Sequence, residues 1–215
     1  MKRIFIPAKL KESLTNKRVS EISKKLPGKI AIVYSIQYQK QALSIKEQLS
    51  KEKEVLAFSQ ILGCSLIKFP KDIEAILVIS SGEFHASSIA NSTGKKVYVF
   101  DLHNLKEISK SDVEKVQKKK KASYLNFLHA DNIGILVSTK PGQENLELTE
   151  KTKKKLENKF PEKQFFIFIS NNINTGEFEN FPDIKSWVNT ACPRMDLEHR
   201  KIINISDLLS YIEEV

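Results

Sequence analysis

Hydrophobic positions along the chain fall into two kinds of run. Short, nearly unbroken apolar runs recur as KIAIVYS from Lys29, EVLAFSQ from Glu54, EAILVIS from Glu74, KKVYVFD from Lys95, NIGILVS from Asn132, QFFIFIS from Gln164 and SWVNTA from Ser186. They are β-branched or aromatic and have the length of parallel strands buried on both faces, where no polar face interrupts the run. Between them lie amphipathic stretches such as QKQALSIKEQLSK and ENLELTEKTKKKLENKF, in which Leu146, Leu148, Thr149, Thr152 and Leu156 fall broadly on one helical side. Strand alternating with helix predicts an α/β fold with parallel sheets.

The alternation repeats. KIAIVYSIQYQ, from Lys29, matches NIGILVSTKPG, from Asn132, each a strand with a serine near its end, then a polar loop and a helix. FPKDIEAILVIS and FPDIKSWVNTA share Phe-Pro, then Asp-Ile, then a strand. The two halves lie roughly one hundred residues apart, a common domain size. We therefore expect two similar α/β units, 29–121 and 122–215, with the boundary near the lysine run, preceded by an N-terminal segment, 1–28. In that segment RIFIPAK reads as an isolated strand and LTNKRVSEISKKL as a linking helix. The strand has no partner of its own, which points to a lost or separately encoded neighbour.

Composition adds little to the fold and more to the setting. The 215 residues are 40% hydrophobic and 28% charged, enough to bury a sizeable core, and a soluble protein is expected. No segment approaches the roughly 20 apolar residues that cross a bilayer, so a cytoplasmic address is expected. The formal charge of +9 and pI near 9.4 raise the question of nucleic acid. The one dense run, Lys118 to Lys121, lacks interleaved aromatics and reads as a solvated helix face or loop, so direct nucleic-acid binding is not expected.

In parallel sheets ligands bind beyond the carboxyl ends of the strands. The loops there are SIQYQ, ILGCS, SSGEFH and DLHN in the first half, and STKPGQ, SNNIN and ACPRMD in the second. Both cysteines of the chain, Cys64 and Cys192, are in this set. Two cysteines do not make a disulfide framework, and each is open to a role as core residue, nucleophile or metal ligand. No Ser-His-Asp order, GxGxxG loop or HExxH pattern occurs, so hydrolase and dinucleotide-dependent dehydrogenase readings lack their usual support.

ILGCS, then SGEFHASSIANSTGKKVYVFD, then GILVSTKPGQ, then WVNTACPRMD, in this order and at these spacings, resemble the second and third domains of the diphthamide synthase family. These are the 2-(3-amino-3-carboxypropyl)histidine synthases of archaea and eukaryotes, and the resemblance covers nearly the whole chain. It implies three similar α/β domains, each giving one cysteine to a 4Fe–4S cluster whose open iron takes S-adenosylmethionine. It further implies reductive release of the 3-amino-3-carboxypropyl group and its transfer to a histidine of translation elongation factor 2. On this carry-over Cys64 and Cys192 are cluster ligands, with two buried unliganded thiols as the plain alternative.

The same resemblance points to Ser138, Thr139, Lys140, Gly142 and Gln143 as the S-adenosylmethionine loop, against a plain reading as a helix-initiating turn with Pro141 in its first turn. Ser81, Gly82 and His85 fit a family motif that usually reads Gly-Arg-Phe-His, with Glu83 here in place of the cation. His85 also has the ordinary reading of a hydrogen-bonded structural histidine. Gln37 stands where the family tends to have Gln-His, followed here by Tyr38. Arg194 is the candidate catalytic residue, a fork for the methionine carboxylate, or else a partner of Asp196 or Glu198. Trp187 reads as core. Because the resemblance lacks the family's first domain, a third cysteine is expected from a separate partner chain. The alternatives are a non-catalytic paralogue that binds a synthase subunit or elongation factor 2, and a basic RNA- or ribosome-associated module.

Overall fold

All seven apolar runs are strands in the computed structural model, which describes residues 6, 8–12, 14–62, 67–197 and 199–213. The chain divides into two compact units, Met1–Val116 and Gln117–Val215. In the first, β1 (Lys29–Tyr34), β2 (Glu54–Gln60), β3 (Ala75–Ile79) and β4 (Lys96–Phe100) run parallel, and a three-residue β5 (Leu105–Glu107) pairs antiparallel with β4. The order is β2-β1-β3-β4-β5. The helices are α1 (Asn16–Ser23), α2 (Gln39–Leu49), α3 (Phe84–Thr93) and the 20-residue α4 (Lys110–His129), which carries the lysine run and crosses the division between units.

The second unit contains β6 (Asn132–Ser138), α5 (Leu146–Lys159), β7 (Gln164–Ser170), β8 (Ser186–Asn189), β9 (Ile202–Asn204) and α6 (Ile205–Glu213). Its strands are all parallel, in the order β7-β6-β8-β9. Strand for strand this is the order of the first unit: the opening strand sits between its second and third neighbours. The Phe-Pro motifs occupy matching places too, each leading into the third strand of its unit, β3 or β8.

Unbroken apolar runs follow from burial on both faces. In β1, Ile30 and Ile32 pack with Val19 and Ile22 of α1 and Ile45 of α2, while Ala31 and Val33 face the other way, onto Ala86 and Ile89 of α3. In the second sheet Ile133 and Ile135 pack with Phe127, Leu156, Leu208 and Ile212. The opposite face of that sheet holds Leu136, Trp187, Ile202 and Met195, with Phe168, Phe178 and Cys192 packed against them. Trp187 is core, as its sequence context suggests: it is 1% exposed and stacks on Phe178 with ring centroids 4.1 Å apart.

The helical side read for α5 is too wide: Thr149, Thr152 and Leu156 are buried, but Leu146 and Leu148, in its first turn, are exposed. The lysine run is a mixed face, with Lys118 and Lys121 exposed and Lys120 paired to Asp207 at 2.6 Å. The N-terminal strand falls on residues largely outside those described, and Ile6, Ala8 and Lys9 carry no regular element.

Candidate functional site

An order of this kind places a switch point between the first and third strands of each unit, where successive connections leave in opposite directions and open a crevice. In the second unit that point lies between β6 and β8, which pair from Ile133 with Ser186 to Leu136 with Asn189. The two loops that leave it are Thr139–Asn145 and Thr190–Pro193, the segments that sequence reasoning singled out as STKPGQ and ACPR.

The first of these loops is held at its root. Ser138 is 2% exposed and its hydroxyl accepts from the Lys140 N–H at 3.1 Å, while the Thr139 N–H donates to Ser170 O at 3.1 Å. Beyond the root, Thr139, Lys140 and Gly142 are exposed and Gln143 is half-buried. Gly142 has φ +76°, a left-handed conformation that costs glycine little and a side-chain-bearing residue more. The Gln143 and Glu144 N–H groups both return to Lys140 O at 3.0 Å, closing a turn before α5 begins. The loop thus has the geometry of a helix-initiating turn and also presents hydroxyl, ammonium and amide groups at the crevice.

A buried pair of threonines joins the two loops. Thr190 donates its hydroxyl to Leu136 O at 2.8 Å, and its hydroxyl oxygen lies 3.0 Å from that of Thr149 on α5. Thr149 in turn bonds Asn145 O at 2.9 Å, so the start of α5 is tied to the end of β8.

Cys192 follows immediately and is a free, half-buried thiol at the edge of the Trp187 and Met195 cluster. Two asparagines that sequence reasoning did not single out hold its backbone. Asn189 closes β8 and Asn204 closes β9, and the two are direct register partners. Asn189 Nδ2 donates to Cys192 O at 2.8 Å and to Asn204 Oδ1 at 2.7 Å, Asn189 Oδ1 accepts from the Ala191 N–H at 3.0 Å, and Asn204 Nδ2 donates to Pro193 O at 2.8 Å. Arg194 follows in a short 3-10 turn, Pro193–Leu197, and is exposed. Glu198 lies outside the described residues, as does Cys64 with its neighbours 63–66, so the pairing of the two cysteines rests on sequence alone. Among the described residues no group of three or more His, Cys, Asp or Glu could hold a metal ion.

His199, also missed by sequence reasoning, packs edge-on against Phe178 with centroids 5.6 Å apart. Its Nδ1 accepts from the Lys201 N–H at 3.2 Å. Burial, then the charges of Lys201, Arg200 and Lys119, hold its pKa below the ordinary imidazole value.

The switch point of the first unit lies between β1 and β3. Gln37 is exposed in the 3-10 turn Ile36–Tyr38 after β1, and its carbonyl accepts from the Leu10 N–H at 2.9 Å. Ser81 and Gly82 are exposed after β3, with Gly82 at φ +80° and its carbonyl accepting from Ser80 Oγ at 3.3 Å. His85 lies in the first turn of α3, half-buried, with Phe84 edge-on at 5.1 Å. Glu83 has its own counter-ion: Lys106 of β5 reaches Oε1 at 2.6 Å, and this bond raises the Lys106 pKa. The Glu83 carboxylate is therefore matched by a cation on β5.

A family model for diphthamide synthesis proteins matches residues 1–201. The 2-(3-amino-3-carboxypropyl)histidine synthase of Pyrococcus horikoshii is 31% identical over 208 residues, covering 91% of this chain and 59% of the relative. The synthase of Methanocaldococcus jannaschii is 26% identical over 210 residues, covering 92% and 57%. In three dimensions the chain superposes on the crystal structure of Dph2 from Pyrococcus horikoshii with a TM-score of 0.78 at 27% identity, covering 93% of this chain and 61% of that one. A structure of the same relative with a 4Fe-4S cluster matches equally well. The chain therefore spans about 60% of the length of these archaeal relatives. With a family model matching residues 1–201 and a fold shared with a solved relative, this chain belongs to the diphthamide synthesis protein family.

Proposed function

We propose that this chain is a subunit or split fragment of the transferase that moves a 3-amino-3-carboxypropyl group from S-adenosylmethionine to a histidine of translation elongation factor 2, the first step of diphthamide biosynthesis. The observation that carries the reading is the setting of Cys192: a free thiol at a sheet switch point, its backbone clamped and its flank apolar, in a fold shared with a relative solved with a 4Fe-4S cluster. A soft thiolate beside an apolar wall suits iron–sulfur ligation, since burial and fixed ligand geometry stabilise such clusters. Cys64 is the second ligand in this proposal, and a separate chain supplies the third.

When bound, the cluster supplies the electron for reductive cleavage of the sulfonium C–S bond. The chain's own residues bind and orient. The exposed Arg194 guanidinium offers two parallel donors to the methionine carboxylate of the cofactor. Lys140, the Thr139 hydroxyl and the Gln143 amide stand at the crevice as polar contacts, with Gly142 allowing close backbone approach. Gln37, Ser81, Gly82 and His85 serve the corresponding crevice of the first unit. No helix of the described residues is long and apolar enough to cross a membrane, and we place the reaction in the cytoplasm.

One observation favours a second reading. The Glu83–Lys106 pair neutralises the place where the family carries a cation, as a non-catalytic paralogue that binds a synthase subunit or elongation factor 2 would tolerate. The two readings separate in an anaerobic assay with dithionite, S-adenosylmethionine and elongation factor 2. The isolated chain is expected to be inactive; with a complementing chain it is expected to yield methylthioadenosine and a histidine carrying the transferred group. Full activity from the isolated chain contradicts the split-fragment proposal. A colourless, inactive complex establishes the adaptor.

A further inference from the structure

The amide pair beneath Cys192 is more than a loop anchor. Asn189 and Asn204 are 2% and 6% exposed, at equal register on adjacent parallel strands, so their side chains lie on one side of the sheet. Between them they engage three consecutive loop residues: the N–H of Ala191, the carbonyl of Cys192 and the carbonyl of Pro193. The Cys192 carbonyl also accepts from the Met195 N–H at 3.1 Å, so both its lone pairs are used. Pro193 has a fixed φ and no N–H to offer elsewhere.

The two amides hold the Thr190–Ala191 peptide before Cys192 and the Cys192–Pro193 and Pro193–Arg194 peptides after it, so the backbone at the cysteine is held from both sides and the direction of its Cβ is restricted. We propose that Asn189 and Asn204 are positioning residues for the Cys192 thiolate, a buried amide clamp that fixes the direction of the Cys192 Cα–Cβ bond before any cluster is bound. This rests on the ligand role proposed above for Cys192, but it concerns the unliganded thiol and is tested without iron. Its chemical logic is preorganisation: a ligand already aimed loses little freedom on binding, whereas a free loop must be ordered at that moment.

The test uses the full chain with Cys64→Ser, so that Cys192 is the only thiol. Two readouts are compared among this parent, Asn189→Leu, Asn204→Leu and Asn204→Asp: the rate of alkylation by iodoacetamide, and the fluorine NMR spectrum of a trifluoromethyl label attached to the cysteine. Leucine keeps the branching and number of heavy atoms and removes every amide bond. We expect alkylation to rise about three- to tenfold in each leucine variant, the factor equivalent to roughly one net hydrogen bond. The label should give one sharp line in the parent and broadened or multiple lines in the variants. Asn204→Asp keeps the acceptor for Asn189 but sets a carboxylate oxygen against Pro193 O in place of the donor, so its rate should rise at least as far as for Asn204→Leu. Parent-like rates and a single sharp line in folded leucine variants overturn the proposal. Should a leucine variant not fold, the aspartate variant decides: a parent-like rate and line there overturn it equally. Failure of the chain to take up iron with a complementing chain would refute the ligand role yet leave both of these readouts as expected, so the two ideas fail separately.

Discussion

Replacing Gly134 by alanine sets two effects of opposite sign against each other. In an ordinary strand the change stabilises by about 0.5–1 kcal/mol, because glycine loses more backbone freedom on folding. At this position a Cβ would fall inside contact with Cε3 and Cζ3 of Trp187 and 3.1 Å from Cδ2. The indole cannot yield cheaply: it is 1% exposed, stacked on Phe178 and edge-on to Phe168 at 4.8 Å. It must retreat by about an ångström to restore contact, at an overpacking cost of about 1–3 kcal/mol. Disturbing the Phe178 stack forfeits up to roughly 1 kcal/mol more. Steric cost therefore wins, and Gly134→Ala should destabilise the second unit by about 2 kcal/mol net. Trp187 is the chain's single tryptophan, so urea unfolding followed by its fluorescence reports on this unit. Adding Trp187→Phe, with unfolding then followed by far-UV circular dichroism because the fluorophore is gone, should recover part of the loss. Stability equal to or above that of the wild type in Gly134→Ala would refute the reasoning.

Two further outcomes follow from the same unit. Thr149→Val and Thr190→Val each remove a buried hydroxyl donor from a carbonyl, Asn145 O or Leu136 O, and take from the other hydroxyl its 3.0 Å neighbour, so each should cost about 1–2 kcal/mol. The double variant should cost less than the sum, and strict additivity in a double-mutant cycle would mean the hydroxyls do not interact. His199 should titrate below the ordinary value near 6.5, since burial and three neighbouring cations disfavour its charged form. Between the lowered folded value and 6.5 the unfolded chain binds more protons, so this group's contribution to stability is full above about 6.5 and is lost as pH falls through the folded pKa. His199→Gln should flatten that part of the pH profile, and an NMR midpoint at or above 6.5 would contradict the assignment.

What was legible in the sequence followed from burial. Strands covered on both faces carry no polar interruptions, so β1, β3 and β6 stand out as runs, and the repeat of strand-loop-helix marks the two similar units, whose shared strand order only the structure gives. The three-residue strands β5 and β9 were not legible. LKE has no buried face, and IIN is too short to show a period. Missing β9 hid the clamp as well, because Asn204 matters only through its register with Asn189. Leu146 and Leu148 misled because periodicity records which way a residue points and not whether a neighbour is there to cover it. Cys192, Ser138 and Gly142 stand in loops at strand ends, where a parallel sheet is expected to bind ligands, but the roles expected of them rest on the family resemblance and not on topology.

The most direct test of the central claim is the iron content of the chain and of its Cys64→Ser and Cys192→Ser variants, each reconstituted anaerobically with iron and sulfide beside a complementing chain. Serine replaces a soft thiolate by a hard hydroxyl of similar size, so the account predicts cluster absorbance in the wild type and its loss in both variants, with far-UV circular dichroism unchanged. Equal iron in all three proteins would contradict the ligand role of these cysteines and, with it, the reading of this chain as part of an iron–sulfur transferase.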